Sequence, residues 1–321
     1  MPTATLQHGG LAFPKTEPIA INCFSLFDKV LPNCALIDYS DGIDRGDLST
    51  PYEAAQSEQI HDVLDEVHCT AGNRILDVGC GNGTLLEAAR RRGAIGVGLT
   101  MSPEQVATCR RRGLDARCFN DKFLDGEWSH QFDAVVVNGT IEQFVQPSDA
   151  DQGLSNEIYR KMFETFHRAI DPASPVRRLI NTTIHFIRAP RPENMLINPW
   201  LHRTGSDRWH WAWLARSFGG YYPRLGQLES SAKGHFRLVK SVDGTDDYRR
   251  NTEEWLRRLR RALRTRLGLQ VFAKVLPFAV RHPWRTIDFL TCLLATESWN
   301  WQFRGSNPPT RLLRQTWEYQ P

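Results

Sequence analysis

Arg74-Ile75-Leu76-Asp77-Val78-Gly79-Cys80-Gly81-Asn82-Gly83 runs from a short apolar strand into a turn with three glycines, and a helix follows over Thr84–Arg91. Glycine has no Cβ, so such a turn lets the backbone pass close to a ligand and adopt positive φ. The helix behind it aims its unpaired N–H groups at whatever lies beyond the strand end. The spacing D-x-G-x-G-x-G differs from the dinucleotide fingerprint G-x-G-x-x-G.

On either side of this stretch, apolar runs and helical periods alternate as in a parallel sheet. Strands are expected at 74–78, 94–99, 115–119, 132–137 and 178–186. Helices are expected at 50–67, 84–92, 103–112 and 154–170. The fold class is therefore α/β, a Rossmann-like sheet with helical N-terminal and C-terminal caps, and its ligand sits beyond the carboxyl ends of the strands. Residues 1–70 read as a loose tail and a helical lid, with a short helix at 21–31. Residues 71–187 form the core. Residues 188–234, rich in Pro, Gly and aromatics and including Trp209-His210-Trp211-Ala212-Trp213, read as a cap over the site. Residues 235–321 begin with a returning strand near 236–242. A basic amphipathic helix follows over 246–267, and two helical stretches near 271–280 and 286–303 end the chain.

The 321 residues include 41% hydrophobic ones and a net charge of +4, as in a soluble globular protein. No apolar run reaches the roughly 20 residues that span a bilayer. Seven cysteines lack a C-x-x-C spacing, so no metal site is expected. With no basic-then-apolar leader pattern either, a cytoplasmic protein with reduced thiols is expected. Eleven Arg/Lys against two Glu fall between residues 249 and 286. Such a stripe suits an anionic membrane surface or an anionic small substrate, and equally a solvated helix face. No nucleic-acid module accompanies it, and nucleic acid is not expected as a partner.

The motif at 77–83 resembles the first motif of S-adenosylmethionine-dependent methyltransferases. Further motifs narrow the resemblance. Gly96-Val97-Gly98-Leu99-Thr100-Met101-Ser102-Pro103-Glu104-Gln105 is similar to the G-V-T-L-S-x-E-Q element of the cyclopropane fatty acid synthase and mycolic acid methyltransferase family. Asp38-Tyr39-Ser40-Asp41-Gly42-Ile43 resembles that family's Y-S-C-A-Y-F, and Gly139-Thr140-Ile141-Glu142-Gln143-Phe144 its F-E-H element. Gly219-Gly220-Tyr221-Tyr222-Pro223 is loosely similar to aromatic-P-G-G-x-x-P. Tyr248 with Trp255 resembles H-Y-x-x-T-x-x-x-W, with Asp247 in place of the His and the Thr one place late at Thr252.

The resemblance implies S-adenosylmethionine as cofactor, held by Tyr39, Ser40, Asp77, Gly79, Gly81, Thr100, Met101, Gln105, Asn120 and Asp121. Thr100 and Gln105 stand where most such enzymes use a carboxylate for the ribose hydroxyls. It implies methylation of a carbon–carbon double bond in a lipid or isoprenoid-like substrate, through a carbocation that aromatic faces stabilise and a base deprotonates. In cyclopropane-forming members the base is a bicarbonate held by the Cys, the Glu, a His after the fifth strand and the Tyr. Here Glu142 and Tyr248 remain, Asp41 replaces the Cys, and Asn181 stands at the expected position of the His. A carboxylate at Asp41 would repel bicarbonate, so Asp41 and Glu142 are candidate bases, with Tyr248 beside them, for a reaction that ends in a methylated alkene. His185 could also reach the pocket. Trp209, Trp211, Trp213, Tyr221 and Tyr222 are candidate pocket aromatics. Arg188, Arg191, Arg203 and Arg224 are candidates to grip a diphosphate or another anionic head group. Three other readings stand beside this one: a cyclopropane synthase, an N- or O-methyltransferase of a small molecule, and a non-catalytic membrane-surface binding protein.

Overall fold

The computed structural model describes residues 36, 40–47, 49–119, 124, 128–284, 286–287, 290 and 297–321. The expected tail and helix within 1–31 lie outside them, as do Tyr39, Asn120 and Asp121.

The described residues form a seven-stranded sheet. Its strands are β1 (Arg74–Val78), β2 (Ile95–Thr100), β3 (Asp115–Cys118), β4 (Ala134–Asn138), β5 (Arg178–Phe186), β6 (Phe236–Asp243) and β7 (Thr310–Tyr319), in the order β3-β2-β1-β4-β5-β7-β6. The first five are parallel, with Leu76 opposite Val97 on one side and Val135 on the other. Such strands are covered on both faces, which is why Ile75-Leu76 and Val135-Val136-Val137 read as unbroken apolar runs. The helices are α1 (Tyr52–Glu66), α2 (Thr84–Arg91), α3 (Pro103–Arg111), α4 (Ser155–Ala169), α5 (Asp207–Phe218), α6 (Thr245–Leu263) and α7 (Arg266–Arg281), with shorter ones between. α1 and α2 pack Ile60, Val63, Leu64, Leu85 and Ala89 against one face of the sheet. α4, α5 and the C-terminal helices cover the other.

Two expectations change. The chain does not end in helices, because β7 inserts antiparallel between β5 and β6 and completes the sheet. Its middle residues, Arg314, Gln315 and Thr316, are buried yet polar, so no apolar alternation marks the strand. The basic helix expected over 246–267 breaks at Arg264-Thr265 into α6 and α7. No helix among the described residues is long and apolar enough to cross a membrane.

β7 also brings Arg314 to a chain of alternating charges. Its Nη2 donates to Asp41 Oδ2 at 2.5 Å and to Asp247 Oδ2 at 3.1 Å. Arg250 continues the chain, 2.9 Å from Asp247 Oδ1 and 2.5 Å from both oxygens of Asp44. The segment 41–44, α6 and β7 are thus held by one network, with Arg314 only 5% exposed. Removing one member of a buried ion pair leaves the others uncompensated. Arg314→Met is expected to destabilise the fold by about 3–5 kcal/mol, with Asp41→Asn in the same chain recovering part of the loss. Urea unfolding of the two variants checks this; a loss within the range of a surface pair would mean that the network is solvated.

Candidate active site

The site lies at the carboxyl ends of the parallel strands, where β1 delivers the buried Asp77 and then the glycine turn. Gly79, Gly81 and Gly83 all have positive φ, at 92°, 53° and 83°. Gly79 also permits a close contact, since a Cβ there would stand 2.0 Å from Thr140 Oγ1 in the loop after β4. The turn is tied to β2, because the N–H groups of Gly79 and Cys80 both donate to the Leu99 carbonyl, at 2.8 and 2.9 Å. Cys80 is no nucleophile: a hydrogen bond with Cys109, together with burial, holds its thiol far above the usual range. The four described cysteines, Cys69, Cys80, Cys109 and Cys118, are free thiols.

At the end of β2, Thr100 Oγ1 donates to Gln105 Oε1 at 2.5 Å. Ser102 makes this pairing possible by capping α3, its Oγ accepting from Gln105 N–H, while Pro103 opens the helix. Thr100, Met101 and Gln105 share the cavity wall with Ser40 and Asp77. This half offers a Cβ-free cradle, a buried carboxylate, a neutral hydroxyl–amide pair and the unbonded Ser40 Oγ. Those donors and acceptors fit the amino-acid and ribose parts of S-adenosylmethionine, and the buried carboxylate suits its positive charge.

The other half of the cavity, whose whole volume is about 300 Å³, is built around Glu142. A one-turn helix, Ile141–Gln143, follows β4 and turns this side chain inward. Glu142 Oε1 accepts from Ile184 N–H at 2.7 Å, and Oε2 is buried without a partner. Burial first, and the nearby charge of Asp41 last, push its carboxyl up to about 7, against the Ile184 bond. Gly220 locks this turn from behind, since a Cβ there would lie 2.1 Å from the Glu142 carbonyl oxygen. Tyr248 faces the same space, and burial holds its phenol well above the usual range, so it stays neutral.

Asp41 lines the cavity with an unbonded Oδ1, but its Oδ2 belongs to Arg314. Burial pushes its carboxyl up while the guanidinium opposes the shift. A tethered carboxylate is a poorer base than one with a free oxygen. Asn181 faces away from the cavity: its Oδ1 accepts from Trp317 Nε1 at 2.7 Å. The pleat puts Thr182 and Ile184 on the cavity side instead. His185 is also turned away, bonded to the Thr183 carbonyl, with burial lowering its pKa to about 4.

Of the five cap aromatics only Tyr222 lines the cavity. Trp211 packs edge-on to Phe186 and Trp301, and Trp213 to Trp209 and the exposed Trp200, with Trp211 and Trp213 themselves buried in the core. Arg188, Arg191, Arg203 and Arg224 line nothing here, and no Arg or Lys is among the described lining residues, whose charged members are Asp41, Asp77 and Glu142. The sequence reading missed Phe144, Thr182, Phe218, Trp299 and Gln302 on the cavity wall. The last two come from a stretch with no motif, and only three-dimensional packing reveals them.

The family model described as mycolic acid cyclopropane synthetase matches residues 39–272. A ubiquinone biosynthesis O-methyltransferase from Hahella chejuensis is 33% identical over 94 residues, 27% of this chain and 39% of that protein. The chain thus matches about two fifths of the length of that curated relative. The cyclopropane synthase MmaA2 from Mycobacterium tuberculosis superposes with a TM-score of 0.63 at 19% identity, over 95% of this chain and 99% of that one. A geranyl diphosphate methyltransferase in complex with SAM gives 0.54 at 16% identity, over 88% and 99%. At these identities the structural likeness is one of fold.

The Glu142 carboxyl sets a pH dependence. The folded state binds its proton more tightly than the unfolded chain, so this contribution is complete below the ordinary Glu value, about 4.3, and is lost as pH rises through about 7. Glu142→Gln is therefore expected to gain about 3 kcal/mol relative to wild type between pH 4 and pH 8. Urea unfolding at both pH values measures it, and a constant difference would mean that Glu142 titrates as an exposed carboxyl.

Proposed function

This chain belongs to the mycolic acid cyclopropane synthetase family, and we propose that it methylates an alkene carbon of a lipid or isoprenoid-like substrate, with Glu142 as the base. It is an S-adenosylmethionine-dependent methyltransferase. When bound, S-adenosylmethionine would supply the methyl group as an electrophile, its S–CH3 bond breaking with the electron pair kept on sulfur, which leaves as a neutral thioether.

Asp77, Thr100, Met101, Gln105, Ser40 and the glycines at 79 and 81 would hold the cofactor. We assign Tyr39, Asn120 and Asp121 to the same task from the motif pattern. The π electrons of the alkene form the new carbon–carbon bond, leaving a positive charge on the neighbouring carbon. Faces of Tyr222, Tyr248, Trp255 and Trp299 on the cavity wall suit that charge, at about 1–2 kcal/mol each when water is absent. Glu142 Oε2 then accepts a proton from an adjacent carbon, and the freed C–H electrons restore a double bond. Asp41, neutralised by Arg314, shapes the field beside it.

The single observation that carries this reading is the free, buried Oε2 of Glu142 in an aromatic chamber lined by carboxylates and no Arg or Lys among the described residues. A bicarbonate would meet Asp41 and Glu142 there without a cation to hold it, which weighs against cyclopropane formation by the family's anion. A diphosphate head would have to stay outside. The same acidic, aromatic wall favours one second reading, N-methylation of an amine whose proton Glu142 removes. Either way we take the enzyme to act in the cytoplasm, on a small molecule.

Glu142→Gln is expected to lower kcat by about 10²–10⁴-fold, while the affinity for S-adenosylmethionine changes less than about threefold. Turnover with methyl-labelled cofactor and pools of unsaturated lipids, prenyl alcohols and amines, followed by NMR of the product, decides the reaction. A methylated alkene supports the proposal. A ring methylene or an N-methyl would replace it with the corresponding alternative, and unchanged turnover in the variant would remove Glu142 from the chemistry.

A further inference from the structure

Between Trp255 and Trp299, both on the cavity wall, the described chain runs through the end of α6 and then α7. Its inner side is anchored, with Leu259, Ala262 and Val275 buried in the main core and Phe278 packed against it. Its outer side is apolar. Leu269, Leu276 and Val280 recur at helical spacing along α7, with Leu269 73% and Val280 76% exposed. Trp284, 79% exposed, and then Ile287 continue the exposed row beyond the helix.

Charge follows the same division. Arg257, Arg258 and Arg260 on α6 pair with Glu254, Glu53 and Glu297. From residue 261 to 287 the sequence has six Arg/Lys and no Asp/Glu. Arg261, Arg264 and Arg281 have no carboxylate partner among the described residues. α6, the amphipathic helix singled out in the sequence, is not the exposed element, because Trp255, Leu256, Leu259 and Ala262 bury its apolar face.

An exposed apolar row with a tryptophan, unpaired cations and no anion is complementary to the headgroup layer of an anionic bilayer. We infer that α7 and Trp284 just beyond it dock on an anionic membrane surface, seating Leu269, Leu276, Val280 and Trp284 at the headgroup boundary while the arginines meet lipid phosphates. The purpose of this docking rests on the lipid reading of the substrate. Trp255 and Trp299, which flank α7 in the sequence, are both cavity wall, so docking would bring the chamber beside lipid chains.

Flotation of the full chain with vesicles tests it, without cofactor and without turnover. Vesicles of phosphatidylcholine alone are compared with an equal mixture of phosphatidylcholine and phosphatidylglycerol. Binding to the mixed vesicles that weakens at high salt is expected. Val280→Glu combined with Trp284→Glu is expected to reduce it more than about tenfold, with the unfolding midpoint unchanged since both residues are exposed. No binding by the wild type, equal binding by the variant, or a dimer in sedimentation that the variant dissolves would each overturn the inference. Methyl transfer to detergent-dispersed substrate, measured in parallel, is independent of docking. A failed flotation with intact transfer therefore refutes the surface alone, and the converse refutes the reaction alone.

Discussion

The buried guanidinium of Arg314 is the constraint on which the site depends. It reaches from the last-formed strand position in the sheet to Asp41 at the edge of the cavity and to Asp247 on α6. Two carboxylates could not share that interior without it, because desolvation would drive one of them to protonate. With it, a segment from the start of the described chain, a helix from its later third and the final strand close around one space. The Arg250–Asp44 pair extends the closure outward into half-exposed surroundings. A division of labour between the carboxylates follows. Asp41 is spent on structure through one oxygen, while Glu142, bonded only to a backbone N–H, keeps its other oxygen without a partner.

Two glycines set the positions of the remaining parts with little freedom. Gly79 lets the cofactor turn rest on Thr140, and Gly220 lets the cap strap rest on the backbone of Glu142. The contacts sit on either side of the same loop after β4. The loop that carries Glu142 is therefore clamped between the glycine turn and the cap. Tyr221 N–H donating to the Val145 carbonyl at 2.7 Å, and Gly220 N–H to Gln146 Oε1 at 3.2 Å, reinforce the cap side. A carboxylate so clamped pays its orientation entropy on folding rather than during reaction, which is the physical content of preorganisation.

β1 and β4, at the centre of the sheet, are legible because their residues are largely apolar on both faces, whereas the largely exposed edge strand β3 is legible from its place after a helix of clear period. The turn at 79–83 and the Thr100–Gln105 pair were legible because glycine spacing and a Ser-Pro cap are local signals. β7 was hidden by its function: Arg314, Gln315 and Thr316 are buried through hydrogen bonds and charge, so the strand lacks the alternation that marks a half-buried sheet. Asn181 was assigned to the wrong face because a one-residue change of register inverts every side chain of a strand. The cap tryptophans look like pocket material in sequence, but three of them within five residues on one helix cannot all face one chamber. Trp299 and Gln302 line the site from a stretch that carries no local motif, so only tertiary packing reveals them.

The electrostatic sign of the chamber narrows the chemistry further than its shape does. A resident anion in a closed site needs a fixed cation within a few ångströms to offset its desolvation, and the described wall offers Arg314 only from behind Asp41. A charge that exists only during reaction makes different demands. Polarisable aromatic faces and a nearby carboxylate cost little while the site is empty, because Glu142 can hold its proton when nothing positive is present. A positive centre arriving beside it lowers that proton affinity through the same low dielectric that raised it. A cation approaching Glu142 would thus favour its ionised form. A site of this kind is matched to positive charge that forms and disappears within it, and poorly matched to an anionic cofactor or head group.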